Sequence, residues 1–400
     1  MRLYRHILLL AAVLLAASCS SDSTLQEEQV VDTRTPMVFG TSFAQAETEV
    51  TRASSTTLEA DFKVGVWKNF GSTTAQQTVM DGYKVAYDGS ATNKWNYVGA
   101  ATGQIQRYWD LAAFPYEFRA VSPFLTGASI TPTGITVTGT PFKAQQMTNG
   151  GITPADAESE ACVIAHVTRK HEETGYVDTD VIAAGEINST GRANATREVH
   201  LPFHHLISKV GFRIYIDNPQ PVMSDYSVSL QSIKITAQNA TNGFIYASST
   251  YTATDALATG TFSGNTTTTG EYDLLNRTTP YMETGSTTQY LDFHNHLNRA
   301  DAFDLTPGCL NQLPQSKVKL HVVMTMKTHH VESEELPFTY DSWLSLDHTN
   351  DGGDEFTWEP EKRYIYYLHI PNLHGHDILL ETCEILPWTE VESSNIKIQM

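Results

Sequence analysis

Apolar residues recur at every second position along much of this chain, and stretches with the 3.6-residue period of a helix are missing. The longest example places five apolar side chains on one face of a strand, at Val318, Leu320, Val322, Met324 and Met326. Polar side chains face the other way, at Lys317, Lys319, His321 and Lys327. Phe62, Val64 and Val66 alternate in the same manner. Because successive side chains of a strand point to opposite faces, this pattern predicts an all-β protein.

Size and charge narrow the class of protein further. The chain has 400 residues, of which 40 % are hydrophobic, which is enough to build two domains with their own cores. Lys and Arg together number 26 against 45 Asp and Glu, which gives a net charge of -19 at pH 7. A chain of this charge is repelled by phosphate backbones and by anionic headgroups. The composition therefore argues against nucleic-acid binding and against adhesion to anionic membranes.

The first residues form an export signal. Arg2 and Arg5 precede an apolar run from Ile7 to Ala17, which is shorter than the ~20 residues that span a bilayer. The run ends in Leu-Leu-Ala-Ala-Ser-Cys and so resembles the bacterial lipoprotein box, in which the cysteine, here Cys19, receives the lipid. We therefore expect a signal peptide at residues 1–18, lipidation at Cys19 and a polar, acidic spacer at residues 19–35. An ordinary signal peptide with an incidental cysteine is the alternative.

Three further cysteines follow, Cys162, Cys309 and Cys383. No CxxC pair and no zinc-like Cys/His spacing occurs among them. An odd number in an oxidising compartment leaves room for at most one internal disulfide. We expect buried thiols that act as small apolar side chains, with a Cys309–Cys383 bridge as the alternative.

Turn signals divide the chain into short strands. Such dipeptides occur at Asp81-Gly82, Asp88-Gly89, Asn149-Gly150, Asn242-Gly243 and Asp351-Gly352. Their spacing favours two β-sandwiches, and the polar run at residues 188–196 puts the boundary near residue 200. We predict an N-terminal sandwich at residues 36–200 and a C-terminal sandwich at residues 201–400. The Thr-rich stretch 247–270 is expected to be an exposed loop.

Signatures of secreted hydrolases are missing: the sequence contains no HExxH, no GxSxG and no phosphate-binding loop. Two pairs of histidines have strand spacing, His294 with His296 and His374 with His376, but neither has an identifiable third metal ligand. The acidic segment 347–355 lacks the spacing of an EF-hand and is expected to be a hairpin loop. His204 and His205 are expected to face solvent and core, one each. We predict no enzyme activity, no metal and no cofactor.

Four segments, taken together and in order, resemble the fimbrillin family of Bacteroidales surface lipoproteins. They are Glu49–Ala53, Tyr108–Pro123, Leu201–Val210 and Phe356–Ile370, the last closing with Ile385–Trp388. The resemblance implies two tandem transthyretin-like β-sandwiches, a place at the outer membrane and in a surface fimbria, and other fimbrial subunits as partners. In the last motif Glu361 stands where the family usually has Gly, and Pro followed by a non-Gly residue predicts a type I turn at Pro360-Glu361.

A subunit of this kind that polymerises by strand exchange needs a removable strand, a cut site and a donor strand. Met37, Phe39 and Phe43 share one face of the predicted first strand, which we expect to be temporary. Cleavage by a trypsin-like protease after Arg52 would release it, whereas cleavage after Arg34, the alternative site, would leave it in place. The tail at residues 395–400 is the predicted donor strand, because its apolar residues have period 2: Ile396, Ile398 and Met400.

Two alternatives stay open at this point. The tail at residues 395–400 is, in the alternative interpretation, simply the last strand of its own domain. The whole chain is, in the alternative to a fimbrial subunit, a stand-alone surface lipoprotein that keeps its lipid and its first strand and binds a glycan or a host ligand.

Overall fold

A computed structural model of the chain describes residues 34–43, 58–91, 93–148, 151–152, 162–172, 175–178, 198–216, 226–239, 241, 243–254, 260–275, 291–292, 298–330, 333–346, 352–371, 379–381 and 383–387. Contacts divide the chain into two units, Met1–Thr35 and Pro36–Met400. The second unit contains all the strands described below. Its regular structure is almost entirely β, as the alternation of apolar residues predicts, and the described helix is one 3-10 turn at Arg299–Asp301.

The strands follow one another along the chain as β1 (Phe39–Phe43), β2 (Phe62–Lys68), β3 (Gln77–Tyr87), β4 (Trp95–Asn96), β5 (Tyr116–Ser122), β6 (Ala128–Thr131), β7 (Gly134–Lys143), β8 (Met147–Thr148), β9 (Gly151–Ile152), β10 (Val163–Glu172), β11 (Gly175–Asp178), β12 (Val199–His205), β13 (Ser208–Ile216), β14 (Tyr226–Asn239), β15 (Phe244–Ala253), β16 (Thr261–Thr268), β17 (Gly270–Leu275), β18 (Leu291–Asp292), β19 (Phe303–Asp304), β20 (Leu310–Gln312), β21 (Gln315–His330), β22 (Ser333–Trp343), β23 (Phe356–Trp358), β24 (Lys362–Ile370), β25 (Leu379–Leu380) and β26 (Glu384–Pro387).

Two of the four described sheets share a core in the first part of the molecule. Sheet 1 has the order β1-β12-β10-β5-β2-β3-β4, with β11 beside β10, and sheet 4 has the order β16-β15-β7-β6. One face of sheet 1 packs on an aromatic cluster that includes Trp95 and Trp109. Its other face contributes Trp67 and Val121 to a core that it shares with Val137 of sheet 4.

The other two sheets share the second large core. Sheet 2 has the order β19-β13-β24-β25, with β20 and β26 beside it, and sheet 3 has the order β22-β21-β14-β17-β8-β9, with β18 and β23 beside it. The predicted apolar face of β21, from Val318 to Met326, is buried here as its alternation requires. It packs against Phe212, Tyr366 and Leu368 of sheet 2.

Two turn and loop predictions are wrong. Asp81-Gly82 lies inside β3, where Gly82 has a positive φ of 58° and the pairing with β2 shifts its register, so the dipeptide forms an irregularity within a strand. The stretch 247–270 contains the hairpin partners β15 and β16. Thr favours strands, and because β16 is an edge strand with seven of its eight residues exposed, it needs no continuous apolar period.

The chain passes from sheet 1 to sheet 2 at Leu206-Ile207, because β12 pairs with β1 and β10 whereas β13 pairs with β24. The predicted boundary at residue 200 falls within β12, and sheet 4 combines strands from both sides of it. Backbone and amide bonds fasten the two sides together: Gln145 N–H donates to the Asn311 carbonyl at 2.8 Å, and Gln312 Nε2 donates to the Gln145 carbonyl at 2.9 Å. The division into two transthyretin-like domains stays a prediction.

Candidate functional site: the first strand and its groove

The first strand, β1, lies at the edge of sheet 1 and is parallel to its neighbour β12. Phe39 stands opposite Val199 and Phe43 opposite Phe203, and Val199 N–H donates to the Val38 carbonyl at 2.9 Å. The other strand pairings described in sheet 1 are antiparallel. A parallel strand is not joined to its neighbour by a hairpin. The strand β1 is therefore linked to the rest of the sheet through the long connection to β2.

A second backbone segment, at Arg107 and Tyr108, contacts the start of β1 on the side away from β12. Met37 N–H donates to the Arg107 carbonyl at 2.9 Å, and Pro36 forms an isolated bridge with Tyr108. The Tyr97 hydroxyl lies 3.1 Å from the Met37 carbonyl and 3.2 Å from the Arg107 carbonyl. It accepts hydrogen bonds from Arg107 N–H and from Gln106 Nε2. Burial raises the pKa of Tyr97, so its hydroxyl stays protonated and able to donate.

The inward side chains of this segment are completely covered. Met37 is 0 %, Phe39 1 % and Thr41 2 % exposed. The Phe39 ring contacts Phe62 edge-on at a centroid distance of 6.0 Å and lies near Tyr97 as well. Burial of side chains of this size contributes about 1.5–3 kcal/mol each. We call the space occupied by these three side chains the groove.

Two polar details shape the groove. The Thr41 hydroxyl donates to the Leu58 carbonyl at 3.4 Å, which gives this buried hydroxyl a partner. On the outward side, a Cβ atom added to Gly40 would stand 1.8 Å from a carboxylate oxygen of Glu198. The Glu198 side chain therefore lies directly over the backbone of Gly40 and must move before any other residue takes that position.

The opposite face of sheet 1 carries a buried charged network. The Glu117 carboxylate is ion-paired with Arg119 at 2.9 Å, contacts His166 and accepts a hydrogen bond from Thr168 at 2.6 Å. Arg119 Nη1 also donates to the Thr254 carbonyl at 2.6 Å, which connects sheet 1 to the end of β15. The network holds the strands beneath the groove in register, and its charges are paired as burial requires.

Two histidines at the end of β12 face opposite ways, as predicted. His205 is buried, and burial lowers its pKa to about 3. His204 is half-buried, and its Nδ1 lies 2.7 Å from Glu361 Oε1. The predicted type I turn at Pro360-Glu361 is wrong, because Glu361 has φ of 62°, the left-handed value that a type II turn has at this position.

Several predicted sites fall outside the described residues. These are the lipidation site Cys19, the cleavage site Arg52, the donor residues Ile396, Ile398 and Met400, and the histidines His294, His296, His374 and His376. The alternative cleavage site Arg34 is described and exposed. The described residues hold no group of three metal-ligating side chains, and no helix among them is long and apolar enough to cross a membrane.

The described residues of the acidic segment 347–355 form hydrogen bonds that stabilise a loop. Asp354 Oδ2 accepts a hydrogen bond from Leu346 N–H at 2.6 Å and another from the Ser345 hydroxyl. This loop connects β22 to β23, which pair with successive parts of β21.

The three described cysteines form no disulfide. Cys162 is buried, whereas Cys309 and Cys383 are half-buried and pack against different clusters. Burial raises the pKa of the Cys383 thiol to about 12, which keeps it protonated and unreactive. The structure therefore has no Cys309–Cys383 bridge.

Sequence reasoning missed the groups that hold the first strand. Tyr97, Gln106 and Arg107 lie in a region without strand-like alternation. Tyr97 and Arg107 contact Met37 from 60 and 70 positions away in the sequence, and Gln106 donates to Tyr97. Thr41 was missed for a different reason: it has the same parity as Met37 and Phe39, but it is polar. Parity alone was the signal that could have found it.

The fold therefore defines a class of all-β proteins. In this class the first strand pairs with one parallel neighbour and contacts one bridging segment. A sequence model of the fimbrillin-like family matches residues 51–388, and the chain belongs to this family. No curated protein matches it in a sequence comparison.

Solved structures resemble it as well. A fimbrial protein from Bacteroides vulgatus is 13 % identical, with 88 % of this chain and 99 % of that chain aligned and a TM-score of 0.50, which is a likeness of fold. The fimbrial anchor protein Mfa2 from Porphyromonas gingivalis is 12 % identical, with 88 % and 98 % aligned and a TM-score of 0.26.

Proposed function

We propose that the chain is a structural and adhesive subunit of a cell-surface fimbria and has no catalytic role. Membership of the fimbrillin-like family and the fold shared with a fimbrial protein support this proposal. Its partners are other fimbrial subunits, and its place is the outer membrane and the surface fimbria of a Bacteroidales cell.

Export proceeds through a lipidated precursor anchored at Cys19. The support is the sequence, in which an apolar run is followed by Ala-Ala-Ser-Cys and then by a polar spacer. Replacing Cys19 with Ala releases the protein from the membrane fraction, whereas Ser18→Ala leaves it there. A Cys19→Ala protein that stays in the membrane fraction contradicts the anchor.

Assembly proceeds by exchange of the first strand. The observation that carries this step is the edge position of β1, with Met37, Phe39 and Thr41 buried in a groove although the strand has no hairpin connection to its neighbour. Cleavage after Arg52 removes residues 1–52 and with them the lipid and β1, which opens the groove. Cleavage after Arg34 leaves β1 in place, because the strand begins at Phe39.

The donor is the tail of a neighbouring subunit. Its residues Ile396, Ile398 and Met400 have the spacing of Met37, Phe39 and Thr41, so one tail supplies one apolar side chain to each buried position. In this register Gln399 takes the place of Gly40, and the flexible Glu198 side chain moves aside to admit it. The hydroxyl bond from Thr41 to Leu58 is exchanged for a larger buried apolar area.

The experiment is treatment of purified precursor with a trypsin-like protease. Wild type and Arg34→Ala should yield an N-terminus at Ala53 and form polymers, while Arg52→Ala should do neither. A chain that lacks residues 395–400 should be cut, stay folded and remain monomeric. Intact lipidated monomer on the cell surface would support the stand-alone surface lipoprotein instead, whereas polymers whose subunits keep β1 would contradict strand exchange.

A further inference from the structure

Sheet 4 is almost free of charge. Charged residues make up 18 % of the chain, but the four strands of this sheet, with 4, 10, 10 and 8 residues, contain one, Lys143 at the end of β7. In a chain of net charge -19 this is an unusual surface. Depletion of charged residues is the compositional mark of the centre of a protein–protein interface.

The outward face of this sheet consists of hydroxyl side chains arranged in rows. Strand pairing places one row across all four strands, at Ser129, Thr136, Thr252 and Thr261. The next outward row contains Thr138, Thr250 and Ser263. These side chains are exposed or half-buried. The row between them faces the core instead, at Ala128, Val137, Tyr251 and Phe262.

We propose that this outward face packs against the same face of a second copy of the chain. Two copies repel each other over most of their surface because each has a net charge of -19. The four strands of sheet 4 carry no carboxylate, so two copies that meet there repel each other less, and short hydroxyl side chains let two sheets approach closely. A contact between identical faces is related by a two-fold axis and closes on itself.

The size of the face sets the strength of the contact. Four strands span about 14 Å across the sheet, and eight residues span about 27 Å along it, which gives roughly 400 Å² per copy. A standard stable interface buries about 800 Å² per partner. One contact is therefore too small to hold two free subunits together, and it becomes effective when many copies are arrayed side by side. The cellular use, lateral association of filaments, rests on the proposed fimbrial function, but the contact itself does not.

The test presents many copies of the chain side by side on an artificial surface. Beads coated densely with the full-length chain should cluster, and clustering should increase with salt because salt screens the repulsion between copies. Thr252→Glu and Thr136→Glu, each of which adds a carboxylate at the centre of the face, should reduce clustering to the level of uncoated beads. Thr357→Glu is the matched control, since it adds the same charge at an exposed Thr of β23, and it should cluster like wild type.

Each other outcome overturns the proposal. Wild-type beads that do not cluster at any salt concentration contradict it, as does equal clustering of Thr252→Glu and wild type. Beads that bind a neutral polysaccharide through Thr252 but not each other assign the face to a glycan. Strand exchange is not needed on beads, so loss of polymerisation in the Arg52→Ala chain with intact clustering separates the two proposals.

Discussion

The two edge strands β1 and β16 differ in the features that govern strand pairing. The strand β1 is parallel to its neighbour, buries Phe39 and is bridged on its far side by the segment at Arg107. The strand β16 is the antiparallel partner of β15, and seven of its eight residues are exposed. Its half-buried residue is Phe262, which packs against Phe142 and Tyr251.

This difference shows that the β1 edge is suited to strand exchange, whereas the β16 edge is suited to contact between the surfaces of two chains. Removal of β1 exposes the apolar groove to water. Binding of a replacement strand from another chain is then strongly favoured. Removal of β16 would expose little. Its value to an assembly lies in the face it completes, which is already in contact with water in the single chain.

The largest effect that we expect is for Phe39→Ala. Truncation of this completely buried ring should lower the free energy of unfolding by about 3–5 kcal/mol, because a cavity remains between Phe62, Phe118 and Tyr97. Phe262→Ala on β16 is the matched control and should cost less than half as much, since that ring is half-buried. Urea denaturation of the precursor measures both. Equal losses would remove the energetic distinction between the two edges.

The next largest effect is expected from acid, which should destabilise β1 more than β16. His205 lies at the end of β12, the strand that carries β1, and its pKa in the folded chain is lowered to about 3 by burial. Between pH 6.5 and about 3, this histidine is protonated in the unfolded chain but neutral in the folded chain. The free energy of unfolding should therefore fall by up to about 1.4 kcal/mol for each pH unit below 6.5.

Denaturation at pH 7.0 and 5.0 checks this slope. His205→Gln should flatten it. Hydrogen exchange at pH 5.0 should then show the earliest loss of protection in β1 and β12, and sheet 4 should keep its protection. A wild-type slope that is unchanged in His205→Gln would assign the acid sensitivity to other groups.

A smaller effect is expected from the hydroxyl that holds the start of β1. Tyr97→Phe removes the partner of the Met37 carbonyl and of Arg107 N–H, which should cost about 1–2 kcal/mol. The loss should be local: Met37 N–H exchanges faster, and amides of β16 do not change. Tyr246→Phe on β15 is the control and should leave Met37 unaffected. Uniform acceleration in both strands would contradict a local clamp.

The difference between the two edges could be predicted from the sequence only in part. Met37 and Phe39 were placed on one buried face because an apolar period of two is a local property of the chain. The parallel pairing with β12 and the bridge to Arg107 depend on residues that are far apart in sequence, and no local pattern reports such contacts. The stretch containing β16 was mistaken for a loop because Phe262 is the one large apolar residue of this strand, and an edge strand does not need a continuous apolar face.

The turn at Pro360-Glu361 shows a second limit of sequence reasoning. A non-Gly residue after Pro predicted a type I turn, yet Glu361 adopts φ of 62°. The reason lies in tertiary contacts: Glu361 N–H donates to the Ile207 carbonyl at 3.1 Å, and its carboxylate contacts His204 of β12. The surrounding structure holds this residue in a conformation that its side chain disfavours.

The smallest effect follows from that strain and tests whether the two edges respond to a change made at neither of them. Glu361→Gly relieves a left-handed conformation that costs a non-Gly residue about 1 kcal/mol, and it loses the largely buried contact with His204. Glu361→Ala loses the same contact and keeps the strain, so the free energy of unfolding of Glu361→Gly should exceed that of Glu361→Ala by about 1 kcal/mol. Because Gly keeps the backbone bond to Ile207 possible, the relative protection of β1 and β16 should stay as in wild type. If Glu361→Gly instead loosens β1 selectively, the contact with His204 supports the groove through β12, and the two edges are not independent.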